Sequence, residues 1–232
     1  MKKMVCIILA LALLFGVSAQ AATYTNMRQT AVAYMEIKFE CGCTRVGLGT
    51  MVAPNGMVTA AHNVICSKHN QQLETCNFYF GYYSKNDCFY KYNGSFSYTW
   101  YSDFSNGYKS ADDIAFIKFP TNIGNTTGWY ASSVESDSDL EWEHCYAKGY
   151  RNGQAVNDWA LISVVNDKQI KWTRSESFQG ACEGGPLYYD YEGLEYPVLV
   201  AVYTSFAGDT GYARRLTGNI IKDMRDAGVA FK

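Results

Sequence analysis

The residues of this chain whose types and spacing allow chemistry are three histidines, an adjacent pair of aspartates and a set of cysteines. His62 closes the run Thr59-Ala60-Ala61-His62, in which small residues let the backbone curl before the ring. An imidazole titrates near neutrality, so one aimed into a cleft can serve as general base or general acid. Asp112-Asp113 stand directly before the apolar run Ile114-Ala115-Phe116-Ile117. Cys182 lies within Gly180-Ala181-Cys182-Glu183-Gly184-Gly185-Pro186, and a thiol beside a neutral imidazole is readily activated as a thiolate nucleophile. His69 and His144 lack a comparable setting and read as ordinary surface residues.

Cysteine chemistry depends on compartment. Lys2 and Lys3 precede an apolar run from Met4 to Val17, and Ser18-Ala19-Gln20-Ala21-Ala22 follows it. This is the pattern of a secretory signal, with cleavage after Ala21 or Ala22. About fourteen apolar residues fall short of the roughly twenty that span a bilayer, so no membrane attachment is expected after cleavage. Of the 8 cysteines, Cys6 leaves with the signal. The remaining Cys41, Cys43, Cys66, Cys76, Cys88, Cys145 and Cys182 enter a compartment where disulfides persist. Their odd number requires at least one free thiol or an intermolecular bridge. Setting Cys182 aside leaves six, and the expected bridges join Cys76 to Cys88 and Cys66 to Cys41 or Cys43. The alternative makes Cys182 a structural half-cystine, partnered by Cys145. Zinc binding by Cys66, His69, Cys76 and Cys88 is not expected, because their spacing matches no paired-ligand pattern. No metal and no cofactor is called for.

These groups need elements to position them. Ala31 to Phe39, Val46 to Val52 and Met57 to Ala61 alternate or run as strands, separated by turn residues such as Pro54-Asn55-Gly56. Cys66 to Gly107 reads as hairpins with long polar loops. Helical spacing first appears where Ile220, Ile221, Met224 and Ala227 recur. The layout is all-β with one terminal helix. Removal of Lys2 and Lys3 leaves 18 basic against 22 acidic residues, a net charge of about −4, which does not favour nucleic acid.

The segment from Gly49 to His62, with its Thr-Ala-Ala-His end, and Asp113-Ile114-Ala115 together resemble the chymotrypsin-like serine peptidases. Ile123 to Tyr130, Ala147 to Tyr150, Val200 to Ser205 and Gly211 to Leu216 resemble the bacterial glutamyl-endopeptidase branch of that superfamily. The resemblance covers nearly all of residues 25 to 230. It implies two six-stranded antiparallel β-barrels with a C-terminal helix. The signal then occupies residues 1–21 and the peptidase domain 22–232, with barrels at about 25–122 and about 123–215 and a helix at about 216–227. It implies a secreted, monomeric endopeptidase acting on protein or peptide chains, extracellular or periplasmic. Within it, His62 is the general base, Asp113 fixes its tautomer, and Asp112 is a solvated neighbour.

The third site departs from the family's Gly-Asp-Ser-Gly-Gly-Pro. Anchoring on Gly180 places Cys182 at the nucleophile, puts the oxyanion-binding amides at Gly180 and Cys182, and makes Glu183 an insertion. Anchoring on Gly184-Gly185-Pro186 places Glu183 there instead, which gives a non-catalytic protein that binds a peptide in the cleft. A carboxylate about 6 Å from a developing oxyanion costs roughly 3 kcal/mol at an effective dielectric of about 20, so an active enzyme requires Glu183 to point away. In the Cys182 register, Glu176 and Ser177 fall at the level of the specificity pocket, joined by Tyr203, Ser205 and Phe206. Tyr203 replaces the histidine of glutamyl-specific enzymes, so glutamyl preference is not expected.

Overall fold

A computed structural model of the protein describes residues 27–101, 104, 110–151, 154–173, 183–190 and 195–229. The signal segment and the candidate site residues Glu176, Ser177, Gly180 and Cys182 lie outside the described residues.

Val32–Phe39 (β1) shows how the first sheet forms. Ala33, Met35, Ile37 and Phe39 face inward and are buried, while Tyr34, Glu36 and Lys38 alternate outward, the period-2 pattern of a strand with one wet face. It pairs antiparallel with Thr44–Ala53 (β2) on one side and with Gln71–Ser84 (β5) on the other. β2 turns through Pro54-Asn55 into Gly56–Thr59 (β3), which pairs with Ala115–Lys118 (β8). Ser97–Trp100 (β7) borders β8, Ile65–Cys66 (β4) borders the start of β5, and Asp87–Tyr92 (β6) forms a hairpin on its end. The sheet curls until Tyr98 of β7 donates its hydroxyl to the Leu73 carbonyl of β5 at 3.0 Å, a side-chain bridge where ladder bonds would close a barrel. The span expected to form hairpins with long polar loops holds the β5–β6 hairpin, with β5 running for fourteen residues.

The second sheet closes completely. Ala131–Ser132 (β9) runs parallel to Val198–Ala207 (β14). His144–Arg151 (β10), Gln154–Val164 (β11), Gln169–Thr173 (β12), Pro186–Tyr189 (β13) and Thr210–Arg215 (β15) complete it. The order β13-β10-β11-β12-β15-β14 returns to β13, because Leu187 lies opposite both Ala147 of β10 and Ala201 of β14. The result is a six-stranded antiparallel barrel filled by Leu187, Ile162, Val200, Ala213 and the Trp172–Tyr203 ring pair. The architecture is therefore the two-barrel one, with one barrel closed and the other a curled sheet.

Aromatic residues join the barrels. Tyr34 and Tyr82 stack with ring centres 4.1 Å apart, and Tyr150 of β10 sets its edge against both while its hydroxyl accepts the Tyr82 amide at 3.3 Å. Edge-to-face contacts of this kind add to area burial. Asp112, expected to be solvated, is buried and paired at 2.9 Å with Lys168 between β11 and β12. The terminal helix, Gly218–Asp226, is capped by Thr217 and buries Ile220 and Met224 against the first barrel. Among the described residues no helix is long and apolar enough to cross a membrane.

Candidate active site

The hairpin β2–β3 delivers the imidazole. After Thr59 the chain enters a single 3-10 turn, Ala61–Asn63, with all of its residues buried. Ala60 and Ala61 are fully enclosed, so larger side chains there would push the turn off the sheet. Asp113 arrives from the neighbouring strand, two residues before β8. It takes two hydrogen bonds from the same residue: the His62 amide donates to Oδ1 at 3.0 Å, and the ring Nδ1 donates to Oδ2 at 2.6 Å. A two-point anchor fixes ring and tautomer together, leaving Nε2 as the reacting nitrogen. Phe104 packs beside the ring, with centres 6.5 Å apart.

Glu183 comes from the second barrel, three residues before β13. Its carboxylate Oε2 stands 3.6 Å from His62 Nε2 and 2.7 Å from the Arg45 guanidinium. The first contact is ionic and too long to be a hydrogen bond. Its backbone is held as firmly: the Glu183 carbonyl accepts from the Leu48 amide at 2.8 Å and from Asn63 Nδ2 at 3.0 Å. Next in the chain, Gly184 adopts φ +91° and donates to the Tyr203 carbonyl. A Cβ there would run into the Leu48 carbonyl oxygen, Thr59 Oγ1 and Asn63 Nδ2, so only glycine lets this segment reach the His62 turn.

Charge follows geometry. Burial alone would lower the His62 pKa, but Asp113 and Glu183 outweigh burial and the nearby Arg45 and raise it. Burial alone would raise that of Glu183, but His62 and Arg45 bring it below the ordinary carboxylate value. The arrangement thus favours an imidazolium flanked by carboxylates. Chemically it can hold a proton at Nε2, and it can act as a base there once Glu183 withdraws.

The structure brings together His62, Asp113 and Glu183 among the residues singled out from sequence. Tyr203 contributes backbone bonds to Gly184 and Gly185, while its ring is buried against Trp172. Ser205 is half-buried further along β14, and Phe206 is exposed. Two participants were not anticipated. Arg45 Nη1 donates to the His62 carbonyl at 3.1 Å while Nη2 holds Glu183, and Asn63, fully buried, also bonds Thr59 Oγ1 at 2.9 Å. The only sequence signal for Asn63 was a polar residue between Ala60-Ala61-His62 and Val64-Ile65.

Cys41, Cys43, Cys66, Cys76, Cys88 and Cys145 carry no disulfide in the structure, and the sheet register corrects the expected Cys76–Cys88 bridge. Cys76 faces Ile37 of β1, whereas Cys88 faces Tyr82, six residues further along β5. At about 3.3 Å per strand residue that is on the order of 20 Å, far beyond the roughly 7 Å Cα separation a bridge tolerates. Cys66 and His69 lie beside Cys41 and Cys43 rather than Cys76 and Cys88. His69 is at the surface, as expected, but its ring lies beside three cysteine sulfurs. His144 is stacked on Trp159 with ring centres 4.1 Å apart.

No family profile matches the sequence. An extracellular metalloprotease of Bacillus subtilis (strain 168) is 24% identical over 213 residues, which are 90% of this chain; the match spans 65% of that protein's length. Among solved structures, a Glu endopeptidase in complex with MPD superposes with a TM-score of 0.69 at 18% identity, covering 87% of this chain and 92% of its own. The protease Anisep from Arthrobacter nicotinovorans gives 0.69 at 14% identity, covering 87% and 96%. The chain has the two-barrel fold of the chymotrypsin-like peptidases that its motifs resemble.

Proposed function

We propose that this chain is a secreted endopeptidase in which Asp113 orients His62, and His62 activates Cys182 in place of the usual serine. The observation that supports this most directly is the two-point anchoring of His62 by Asp113. Taking an imidazole and a carboxylate out of water together costs several kcal/mol before their mutual attraction is counted, and such pairs concentrate where chemistry is done. In the proposed reaction His62 Nε2 takes the Cys182 thiol proton and the thiolate adds to the scissile carbonyl carbon. Backbone amides at Gly180 and Cys182 donate to the oxyanion. Collapse of the tetrahedral species breaks the peptide bond as His62 returns the proton to the leaving amine. Water, deprotonated by His62, then hydrolyses the thioester. Glu183 must leave Nε2 for this to occur, and Arg45 gives its carboxylate a partner when it does.

A second reading is supported by Glu183 itself. Its carbonyl is tied to Leu48 and Asn63 and its carboxylate faces His62, as the register anchored on Gly184-Gly185-Pro186 requires. In that register Glu183 takes the nucleophile's place and the cleft binds a protein or peptide segment without cleaving it.

One set of variants of the mature protein separates the two. Under the first reading the wild type cleaves a denatured protein substrate, and iodoacetamide or Cys182→Ala abolishes cleavage. Under the second the wild type binds that substrate saturably without turnover, and Glu183→Ser gains hydrolysis that His62→Ala removes. Wild-type cleavage that is absent, or that survives both treatments of Cys182, overturns the first reading.

A further inference from the structure

Outside the cleft, four metal-ligating side chains converge on one point of the first barrel. Cys41 and Cys43 sit in the turn between β1 and β2. Gly42 holds φ +81° there, and the Phe39 amide donates to the Cys43 carbonyl. Cys66 ends β4, and the chain turns at once: Asn70, at φ +53°, donates its amide to the Cys66 carbonyl at 2.7 Å, bringing His69 back over Cys66. The three sulfurs and a His69 ring nitrogen all lie within 4.8 Å of one another. His69 Nδ1 is 3.4 Å from Cys43 Sγ and 3.7 Å from Cys66 Sγ.

These separations have a specific meaning. A disulfide brings two sulfurs to about 2.05 Å and has no use for a third sulfur or an imidazole. A tetrahedral zinc ion with Zn–S of about 2.3 Å and Zn–N of about 2.05 Å has S···N edges of about 3.6 Å, which the two His69 distances bracket. The ligands also come as two short pairs on separate turns, Cys66-x-x-His69 with the two-residue gap found in structural zinc sites and Cys41-x-Cys43 with a gap one residue shorter.

We propose that Cys41, Cys43, Cys66 and His69 form a structural zinc site of the Cys3His type. All four positions are taken by protein, so the ion has no open position for substrate and its role is to clamp. It ties the β1–β2 turn to the segment that begins four residues after His62. Arg45, which holds both the His62 carbonyl and Glu183, lies two residues beyond Cys43. Zinc thus fixes the strand end that presents Arg45 and the turn that presents His62, whichever reading of the cleft applies.

The test uses the mature chain, purified without chelator, then stripped and titrated with Co²⁺. One equivalent of zinc should co-purify, and the cobalt form should show the intense d–d bands and sulfur charge-transfer absorption of a tetrahedral thiolate site. His69 is exposed, so His69→Ala should fold and weaken metal binding by more than about tenfold. His69→Cys should retain the site, Cys43→Ser should lose the cobalt spectrum, and Cys88→Ser should leave it unchanged. A Cys66 bridge to Cys41 or Cys43 in non-reducing peptide mapping, with no bound metal, would overturn the proposal. So would a cobalt spectrum indifferent to Cys43 and His69.

Discussion

Glu183 and His62 face each other across the seam between the barrels, carboxylate to Nε2 at 3.6 Å, while Asp113 holds the opposite ring nitrogen at 2.6 Å. Carboxylates on both sides stabilise the protonated ring, whereas a general base needs Nε2 neutral and turned toward a nucleophile. The same carboxylate is bound by Arg45, so its negative charge is not left uncompensated in the cleft. The site as it stands is coherent electrostatically and closed chemically, and the contact that closes it depends on pH.

The first prediction concerns that dependence. His62 is raised above its ordinary value of about 6.5. Its contribution to stability is therefore complete below about 6.5 and lost as pH rises through the folded value. Glu183 is lowered, so its contribution is complete above about 4.3 and lost as pH falls through its folded value. The contact is strongest between the two and weakens as the ring deprotonates. NMR titration of the His62 ring should give a value above that of a free imidazole, and Glu183→Gln should bring it down. An identical His62 titration in both proteins would show that the carboxylate does not act on the ring.

Arg45→Met removes both the donor to the His62 carbonyl and the partner of Glu183, leaving a partly buried carboxylate facing only the ring. Loss of one member of a partly buried, hydrogen-bonded charge pair costs about 1–3 kcal/mol, and urea denaturation should show a loss of that order. The double variant Arg45→Met/Glu183→Gln should recover part of it, because the charge left without its partner is then gone. A double variant as unstable as the sum of the singles would mean that Arg45 and Glu183 act independently.

The elements carrying local signals were legible. Alternation in β1, the Pro54-Asn55 turn and the Thr-Ala-Ala-His run each depend on neighbours in sequence, and His62 and Asp113 lie where those signals put them. What could not be read were relations between distant segments. Arg45 is an ordinary charged residue at the start of a strand until Glu183, 138 positions later, meets it. Asp112 reads as a solvated neighbour until Lys168 covers it from the other barrel. Cysteine spacing carries no distance: it does not tell six residues along one strand from a turn that folds back, so neither the separation of Cys76 from Cys88 nor the convergence of Cys41, Cys43, Cys66 and His69 is legible in it.

The Asp112–Lys168 pair offers a test of how the barrels are held together. Asp112 is buried, with Arg214 close enough to feel its charge, while Lys168 is half-exposed. Removing Lys168 strands a carboxylate that cannot easily reach water. Lys168→Met should therefore destabilise more than the median exposed ion pair, which contributes about 0–1 kcal/mol, and Asp112→Asn should relieve the penalty in that background. Thermal denaturation of the single and double variants decides it; a Lys168→Met protein as stable as the wild type would mark the pair as solvent-screened.

Gly184 makes the sharpest demand on the backbone. Alanine there must hold φ near +91° and place its Cβ against the Leu48 carbonyl oxygen, which belongs to the strand and cannot rotate away as a side chain would. Gly184→Ala should cost at least about 2 kcal/mol, from positive-φ strain and displacement of the segment together. Displacement would also stretch the bond from the Leu48 amide to the Glu183 carbonyl and carry the carboxylate away from His62, so the His62 pKa should fall alongside stability. Gly218, at the start of the terminal helix with open space around its Cβ position, is the internal control: Gly218→Ala should be neutral or stabilising by up to about 1 kcal/mol. If Gly184→Ala unfolded at the same urea concentration as Gly218→Ala, this segment would be free to shift, and the closed contact between Glu183 and His62 would be one of several positions rather than a fixed feature of the fold.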